Sequence, residues 1–331
     1  MNSRGRLVGR AVLGIAISVV AMILALRAVD LDAALDAIRS ASPAWLAVML
    51  VCNVTDVAFR GWRWQRLVAP VKAVAYLRML GYLLIGYLAN NVLPARLGEL
   101  VRSHYLGDRE GLSRTTALGT VVVERVIDTT FVVLIAAAAI LLLSVRGVLA
   151  SAVLVGLAFA GLLVVGLVVL LVAHRLPGAE RIVAYAARYP RVASLAARFR
   201  EGLAVAGRPR TLVEAIVLTT AAWSASVLAF AAAGQSIGVQ LTLAQAGLLA
   251  AGVALATAIP SGPGYLGTFE LAAVTVGAAI GLAAEPAFAL ALIVHAGILG
   301  VTTIGGGIAF LRVGWRPGPK PSVESGLPSP G

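Results

Sequence analysis

The fold class this sequence predicts is an all-α polytopic membrane protein arranged as two inverted halves, and three observations carry that expectation. The chain of 331 residues is 60% hydrophobic and 13% charged, with a mean hydropathy of +0.94, a composition that soluble globular chains of this length do not have. Its basic residues fall between apolar stretches in a pattern that alternates sides. Two apolar stretches are broken by the same kind of signal, Asn90-Asn91-Val92-Leu93-Pro94-Ala95-Arg96-Leu97-Gly98-Glu99 and Ile259-Pro260-Ser261-Gly262-Pro263-Gly264-Tyr265-Leu266-Gly267-Thr268-Phe269-Glu270. A Pro/Gly break followed by a carboxylate, at matching places in two halves, points to a binding site at the membrane midplane.

With about 20 apolar residues for each crossing, spans are expected over Ala11 to Leu26, Ser42 to Phe59, Thr115 to Ser144, Gly147 to Ala173, Thr211 to Ala233 and Pro286 to Leu311. No small-x-small cleavage site stands before Asp30, so the first stretch reads as a span and not as a removable leader. The interrupted units, Tyr76 to Leu106 and Leu241 to Ala283, read as re-entrant hairpins, since irregular backbone at membrane depth is tolerated where it lines a protein cavity. The alternative makes every hairpin arm a full crossing, ten in all.

Charge tests this layout. Arg4, Arg6 and Arg10 place the amino terminus inside. Arg60, Arg63, Arg66, Lys72 and Arg78 then fall inside, with Arg102, Arg109 and Arg114, the arginines of the loop from Arg175 to Arg210, and Arg312, Arg316 and Lys320. Arg27, Arg39 and Arg146 are left outside, three of 27 basic residues. The first hairpin enters from inside and the second from outside, which is an inverted repeat. The first repeat is expected over 1–146 and the second over 147–315, the latter including a cytoplasmic basic loop, 174–210. Within it Pro190 to Ala206 reads as an amphipathic helix on the inner leaflet. Residues 316–331 form a Pro/Gly/Ser-rich tail of disordered composition. Trp62, Trp64 and Trp315 suit an aromatic belt. Both termini are expected in the cytoplasm, with the protein in the cell inner membrane.

The net charge of +12 belongs to loops facing anionic lipid, so no nucleic-acid partner is expected. Cys52 can form no internal disulfide. No His/Cys/Asp set has metal-ligand spacing, and no phosphate-binding loop or nucleophile elbow occurs, so neither cofactor nor catalytic centre is expected.

Ionisable groups inside an apolar span need a partner or a cavity. Thr116, Thr120, Glu124 and Asp128 recur at i+4 and form one polar stripe, about 18 Å long. Its structural alternative is an Arg125–Asp128 ion pair at i+3. Pro94 suits a first helical turn, so Ala95 to Leu106 reads as a short helix carrying Arg96, Glu99 and Arg102 at i+3 spacing. Its amino terminus and the two arginines would suit a lipid phosphate; alternatively Glu99 complements the helix dipole while the arginines snorkel. In the second break Ser261 to Gly267 offers flexible amides before Glu270, which suits an anion cradle or close helix packing. Asp56, near Asn53 and Thr55, pairs with Arg60 at i+4. His295 reads as a hydrogen-bonding residue within the bundle, while His104 and His174 look interfacial.

Through Pro94-x-Arg96-x-Gly98-Glu99-x-x-Arg102, Glu124-Arg125-x-x-Asp128 and Pro260-x-x-Pro263-Gly264-x-x-Gly267-x-x-Glu270, the chain resembles the flippase-like membrane domain of the lysylphosphatidylglycerol synthase family. The resemblance covers nearly the whole chain in the expected order. It implies a bacterial inner-membrane protein that moves a phospholipid or related polar-headed lipid between leaflets. The soluble aminoacyl-transferring domain of the full synthases has no counterpart in this sequence, so lysine transfer is not expected, and the lipid itself does not carry over.

The expected function is therefore translocation of a polar-headed lipid with an anionic or zwitterionic headgroup. Asn91, Pro94, Arg96, Glu99, Arg102, Glu124, Arg125, Asp128, Pro260, Gly264 and Glu270 are the candidate substrate-binding residues. Two other classes stay open: an ion-coupled carrier of a small polar solute, and an accessory subunit of an envelope lipid or glycan pathway. Homo-oligomerisation or an envelope-pathway partner is compatible with either.

Overall fold

The computed structural model describes residues 3–93, 97–172, 189–259 and 261–314. Among them the chain is all-helical, without strands: α1 (Ser3–Arg27), α2 (Leu31–Arg39), α3 (Pro43–Val68), α4 (Tyr76–Val92), α5 (Gly98–Glu110), α6 (Arg114–Leu143), α7 (Val148–Val172), α8 (Pro190–Leu203), α9 (Pro209–Ser236), α10 (Leu243–Ala256), α11 (Thr268–Ala279) and α12 (Ala284–Ala309). Short 3-10 turns span Ala204–Gly207 and Pro263–Tyr265, and a π turn closes the described chain at Phe310–Gly314.

Among the described residues five helices, α3, α6, α7, α9 and α12 with its terminal turn, are long and apolar enough to cross a membrane, and α1 with α2, bent by 88°, is apolar enough to be a broken sixth span or a re-entrant loop. This is a multi-pass membrane protein. The bend has a local cause: the Asp30 carboxylate accepts from the amides of Asp32 and Ala33 at 3.0 and 3.2 Å and so starts a new helix. The sequence reading had no helix there, because nine residues are too few for a periodic signal to stand out. The hairpin arms are short. α4, at 17 residues, is the longest arm, below the ~20 residues a crossing takes.

Two further expectations are corrected. The second span runs to Val68, nine residues past Phe59, because Arg60 and Arg63 are part of the helix and point inward. Arg63 is fully buried and Arg102 is 2% exposed, so neither reaches a headgroup layer as a surface charge. Trp64 is fully buried and not interfacial; its Nε1 donates to Thr120 Oγ1 at 3.2 Å. The short helix after the first break starts at Gly98, while Pro94, Ala95 and Arg96 lie outside the described residues. So do Pro260, His174, most of the expected basic loop up to Arg188, and the tail from Trp315.

The amphipathic helix is present as α8. Its Gly202 crosses Gly119 of α6 so closely that a Cβ there would overlap the Thr116 carbonyl. Val192 and Leu195 remain exposed.

The packing has a reciprocal order. α3 packs against α9 in the largest helix–helix contact. α4 packs on α12 and α10 on α6; α5 packs on α6 and α11 on α12; α2 sits on α12 and α8 on α6. Each hairpin thus leans on the last long helix of the other half. The main core lies where α9, α10, α11 and α12 meet, around Trp223, Phe230, Leu249, Phe269 and Leu290. α7 joins it at one edge, packing on α6 through Val153, with Val153 and Ala160 its buried residues.

Candidate functional site

Where the two breaks meet lies a cavity of about 430 Å³, within the range of small-ligand sites. Part of its wall is polar: Asn53, Asp56 and Arg60 from α3, Tyr87, Asn90 and Asn91 from α4, Glu99 from α5, and Arg125 and Asp128 from α6. The larger part is hydrocarbon, from Val132 and Val133 of α6, Gly156 and Phe159 of α7, Phe230 of α9, Val253 of α10 and Leu299 of α12, with Ser226 of α9 and His295 and Thr302 of α12 among it. A compartment lined this way offers charged and amide groups to a polar ligand and apolar surface to a chain attached to it.

Behind the polar part runs a charge network. Arg63 donates to both Asp128 oxygens, at 2.5 and 2.8 Å, and to Thr219 Oγ1 at 3.0 Å, and it lies 3.2 Å from Glu124. Arg102 grips Glu124 with two hydrogen bonds of 3.1 and 3.0 Å. Arg60 joins Asp56 at 2.8 Å to Asp128 at 3.5 Å, and Arg125 reaches Glu99 at 2.9 Å. Indoles complete the set: Arg102 lies over Trp64 at 4.6 Å and Arg60 over Trp223 at 5.0 Å, placing cations on ring faces.

Four guanidiniums thus meet four carboxylates, and such balance is what lets so many charges stay at depth. The members differ in access. The side chains of Arg63, Arg102 and Glu124 are at most 2% exposed, whereas Arg125 is 41% and Glu99 21% exposed. The Arg125 Nε has no hydrogen-bond partner. Glu99 and Arg125 are thus the most exposed pair of the network.

The alternative, an Arg125–Asp128 pair, does not form. Two guanidiniums from α3 already flank Asp128, while Arg125 turns to Glu99 on α5. The polar stripe is buried along its length, with Thr116 and Thr120 at 0%, Glu124 at 1% and Asp128 at 6% exposure. Of the four, Asp128 lines the cavity; Thr116 bonds Glu201 of α8 at 3.1 Å and Thr120 bonds Trp64.

The breaks are held by specific contacts. Asn90 Oδ1 accepts from the Gly98 amide at 2.8 Å, folding α5 back on α4. Asn91 Nδ2 donates to Thr302 Oγ1 and Thr303 Oγ1 at 2.8 and 3.0 Å, tying the first break to α12. In the second break Gly267 has φ +85°, and a Cβ there would overlap the Ser18 carbonyl of α1, so a side chain is barred twice over. Glu270 accepts from the Gly267 amide at 2.6 Å and sits 2.6 Å from His295 Nδ1. His295 Nε2 lies 2.7 Å from the Gly264 carbonyl oxygen, a contact inside the bundle as read from sequence. A Cβ on Gly264 would stand 3.7 Å from the Asn91 carbonyl oxygen, so the two breaks touch.

Of the candidate residues, Asn91, Glu99, Arg125 and Asp128 line the cavity, and Arg102 and Glu124 stand behind it. Gly264 and Glu270 meet it through His295, which is in the wall. Pro94, Arg96 and Pro260 lie outside the described residues. Sequence reasoning missed Arg63, Tyr87 and Trp223 as parts of this site. For Arg63 a signal existed: Asp56, Arg60 and Arg63 recur at i+4 and i+3, one inward face of a helix that continues past Phe59.

A profile of the family described as lysylphosphatidylglycerol synthase TM region matches residues 11–306. A glycosyltransferase, AglD of Haloferax volcanii, is 29% identical over 154 residues, 45% of this chain and 22% of that protein. The chain thus aligns with less than a quarter of that relative's length. No solved structure matches. With the profile spanning nearly the whole sequence, the chain belongs to the lysylphosphatidylglycerol synthase transmembrane-region family.

Proposed function

We propose that this member of the family moves a lipid with a phosphate in its headgroup between the leaflets of the cytoplasmic membrane, without itself catalysing covalent chemistry. The observation that carries the reading is the cavity lined partly by charge and partly by hydrocarbon. Its Glu99–Arg125 pair offers a part-exposed guanidinium, and its hydrocarbon lining reaches Gly156 and Phe159 of α7, a helix that packs on α6 and leaves most of its other side chains exposed. In the translocating state the phosphate takes the Arg125 side of the pair while the acyl chains leave past Gly156 and Phe159. A carrier for a small polar solute would have little use for that apolar lining.

The reciprocal packing of α4 on α12 and α10 on α6 supports reading the halves as an inverted repeat. Three spans and a hairpin make an odd number of crossings whether the hairpin arms cross or return, so the second half begins on the opposite side. Both termini then lie in the cytoplasm, on the side richest in arginine. A second reading, a membrane subunit in a glycan pathway, draws on the likeness to a glycosyltransferase. In that case the lipid would be a sugar carrier.

The deciding experiment identifies the lipid that co-purifies by mass spectrometry and measures its movement in vesicles with the purified protein. A phosphate-bearing lipid, bound and equilibrated across leaflets, supports the reading. A co-purifying water-soluble solute, with no lipid movement, would overturn it.

A further inference from the structure

Of the described buried carboxylates, Glu270 is the one that no guanidinium meets: Glu110 has Arg78, Glu124 has Arg63 and Arg102, and Asp128 has Arg60 and Arg63. Its ionisable partner is His295, and both are nearly sealed, at 0% and 3% exposure. Proton positions follow from the contacts. The Gly264 carbonyl has no proton to give, so His295 Nε2 donates to it across 2.7 Å. Glu270 Oε2 takes the Gly267 amide proton across 2.6 Å. That leaves His295 Nδ1 and Glu270 Oε1 facing each other at 2.6 Å, where two bare lone pairs would repel. One proton must lie between them.

We propose that the Glu270–His295 pair is a proton-binding site, and that the proton it holds travels with an anionic lipid headgroup in the adjoining cavity. This rests on the lipid-translocating reading above. Loaded, the pair is neutral; emptied, it is a carboxylate beside a neutral imidazole with net charge −1, and one proton has passed to the cavity, which His295 lines. An emptied wall repels a phosphate and a loaded one admits it. Proton and anionic headgroup therefore strengthen each other's binding, and by linkage the effect is reciprocal. Emptying also sets the two lone pairs against each other and loosens the Gly264 turn at the point where the breaks touch.

The surrounding charges do not take over this role. Across the cavity α3 presents Asp56 with Arg60, α5 presents Glu99 and α6 presents Arg125 and Asp128, each carboxylate already meeting a guanidinium. Tyr87 of α4 and Tyr265 of the second break also line the wall, while the lining residues of α9 and α10 include no ionisable side chain. Of the remaining neighbours, α1 carries Arg27 in its last turn, and α2 carries Asp32, Asp36 and Arg39 on exposed positions. Arginine keeps its charge throughout, so the imidazole is where the wall's charge can change.

Glu270→Gln is the informative variant, because the amide reproduces the contacts without the mobile proton: its oxygen accepts from Gly267 and its nitrogen donates to Nδ1. Wild type and variant are reconstituted in vesicles of phosphatidylethanolamine and phosphatidylglycerol with a trace of NBD-labelled phosphatidylglycerol, and leaflet distribution is read by dithionite quenching. Under a gradient of about one pH unit, wild type should enrich the probe in the leaflet facing the alkaline side. The limit for one proton with each singly charged lipid is about tenfold, and a protonophore should abolish the enrichment. Glu270→Gln, folded by thermal melt, should show no enrichment, and His295→Gln, which can still donate to Gly264, should behave alike.

Equal distribution in wild type despite the gradient overturns the coupling and leaves translocation standing. Proton uptake is read separately in weakly buffered detergent. Adding dioctanoyl phosphatidylglycerol at alkaline pH should draw a proton from the medium in wild type and none in Glu270→Gln. Lack of uptake in wild type overturns the proposal whatever the vesicles show.

Discussion

Arg63 and Asp128, 65 residues apart in sequence, meet through two parallel hydrogen bonds of 2.5 and 2.8 Å that fasten α3 to α6. Arg63 also touches Glu124, so this one guanidinium neutralises the polar stripe at two levels.

Removing it should therefore unfold more than a surface change would. Arg63→Ala is expected to cost about 3–5 kcal/mol, the usual result of orphaning a buried charge. Arg63→Lys should recover only part of this, because an ammonium cannot make the paired contact. Thermal melts in detergent measure both; a loss below about 1 kcal/mol, as for an exposed pair, would show that the network is not structural.

Arg125 should behave oppositely. Its side chain is 41% exposed and meets one carboxylate, Glu99. Arg125→Gln is expected to leave the melt within about 1 kcal/mol of wild type, as for exposed pairs. Lipid movement should slow by about tenfold or more, since a charged hydrogen bond to substrate contributes ~1.5–3 kcal/mol. Unchanged transport with a large drop in stability would move Arg125 from the ligand site to the scaffold.

Gly156 tests the hydrocarbon lining. A Cβ there would sit 3.4 Å from a Val133 methyl, so Gly156→Ala should be tolerated. Gly156→Trp should fill the space shared with Phe159 and stop movement of long-chain lipids with little change in melting. Full activity of the tryptophan variant in the vesicle assay would show that acyl chains leave elsewhere.

The crossing of α8 over α6 allows a separate check. Gly202→Val places its side chain against the Thr116 carbonyl and Gly119 Cα, an overpacking worth roughly 1–3 kcal/mol. The expected readout is faster limited proteolysis within 189–207. A cleavage rate equal to wild type would mean that α8 is held by something other than this crossing.

What could be read from the chain followed from period and composition. The i+4 recurrence of Thr116, Thr120, Glu124 and Asp128 marked an inward stripe, and it is buried throughout. The two breaks were legible from Asn, Pro and Gly in otherwise apolar runs. Arg60 and Arg63 were not, because an arginine after an apolar stretch has the same local signature whether it snorkels to a headgroup or pairs with a carboxylate on a distant helix. The Glu270–His295 contact joins residues 25 apart on two helices. A periodic pattern along one helix carries no information about a neighbour's register.

The crossed seating of the hairpins has a consequence for biogenesis. α4 finds its seat on α12, a long helix made much later, with Asn91 reaching a threonine 211 positions further along the chain. A nascent chain thus holds its first break unfinished in the membrane while the intervening helices are made, and assembly of this break must wait for the insertion of α12. A chain truncated before α12 should accordingly be recognised as an orphan by membrane quality control, even with all the helices of its first half inserted.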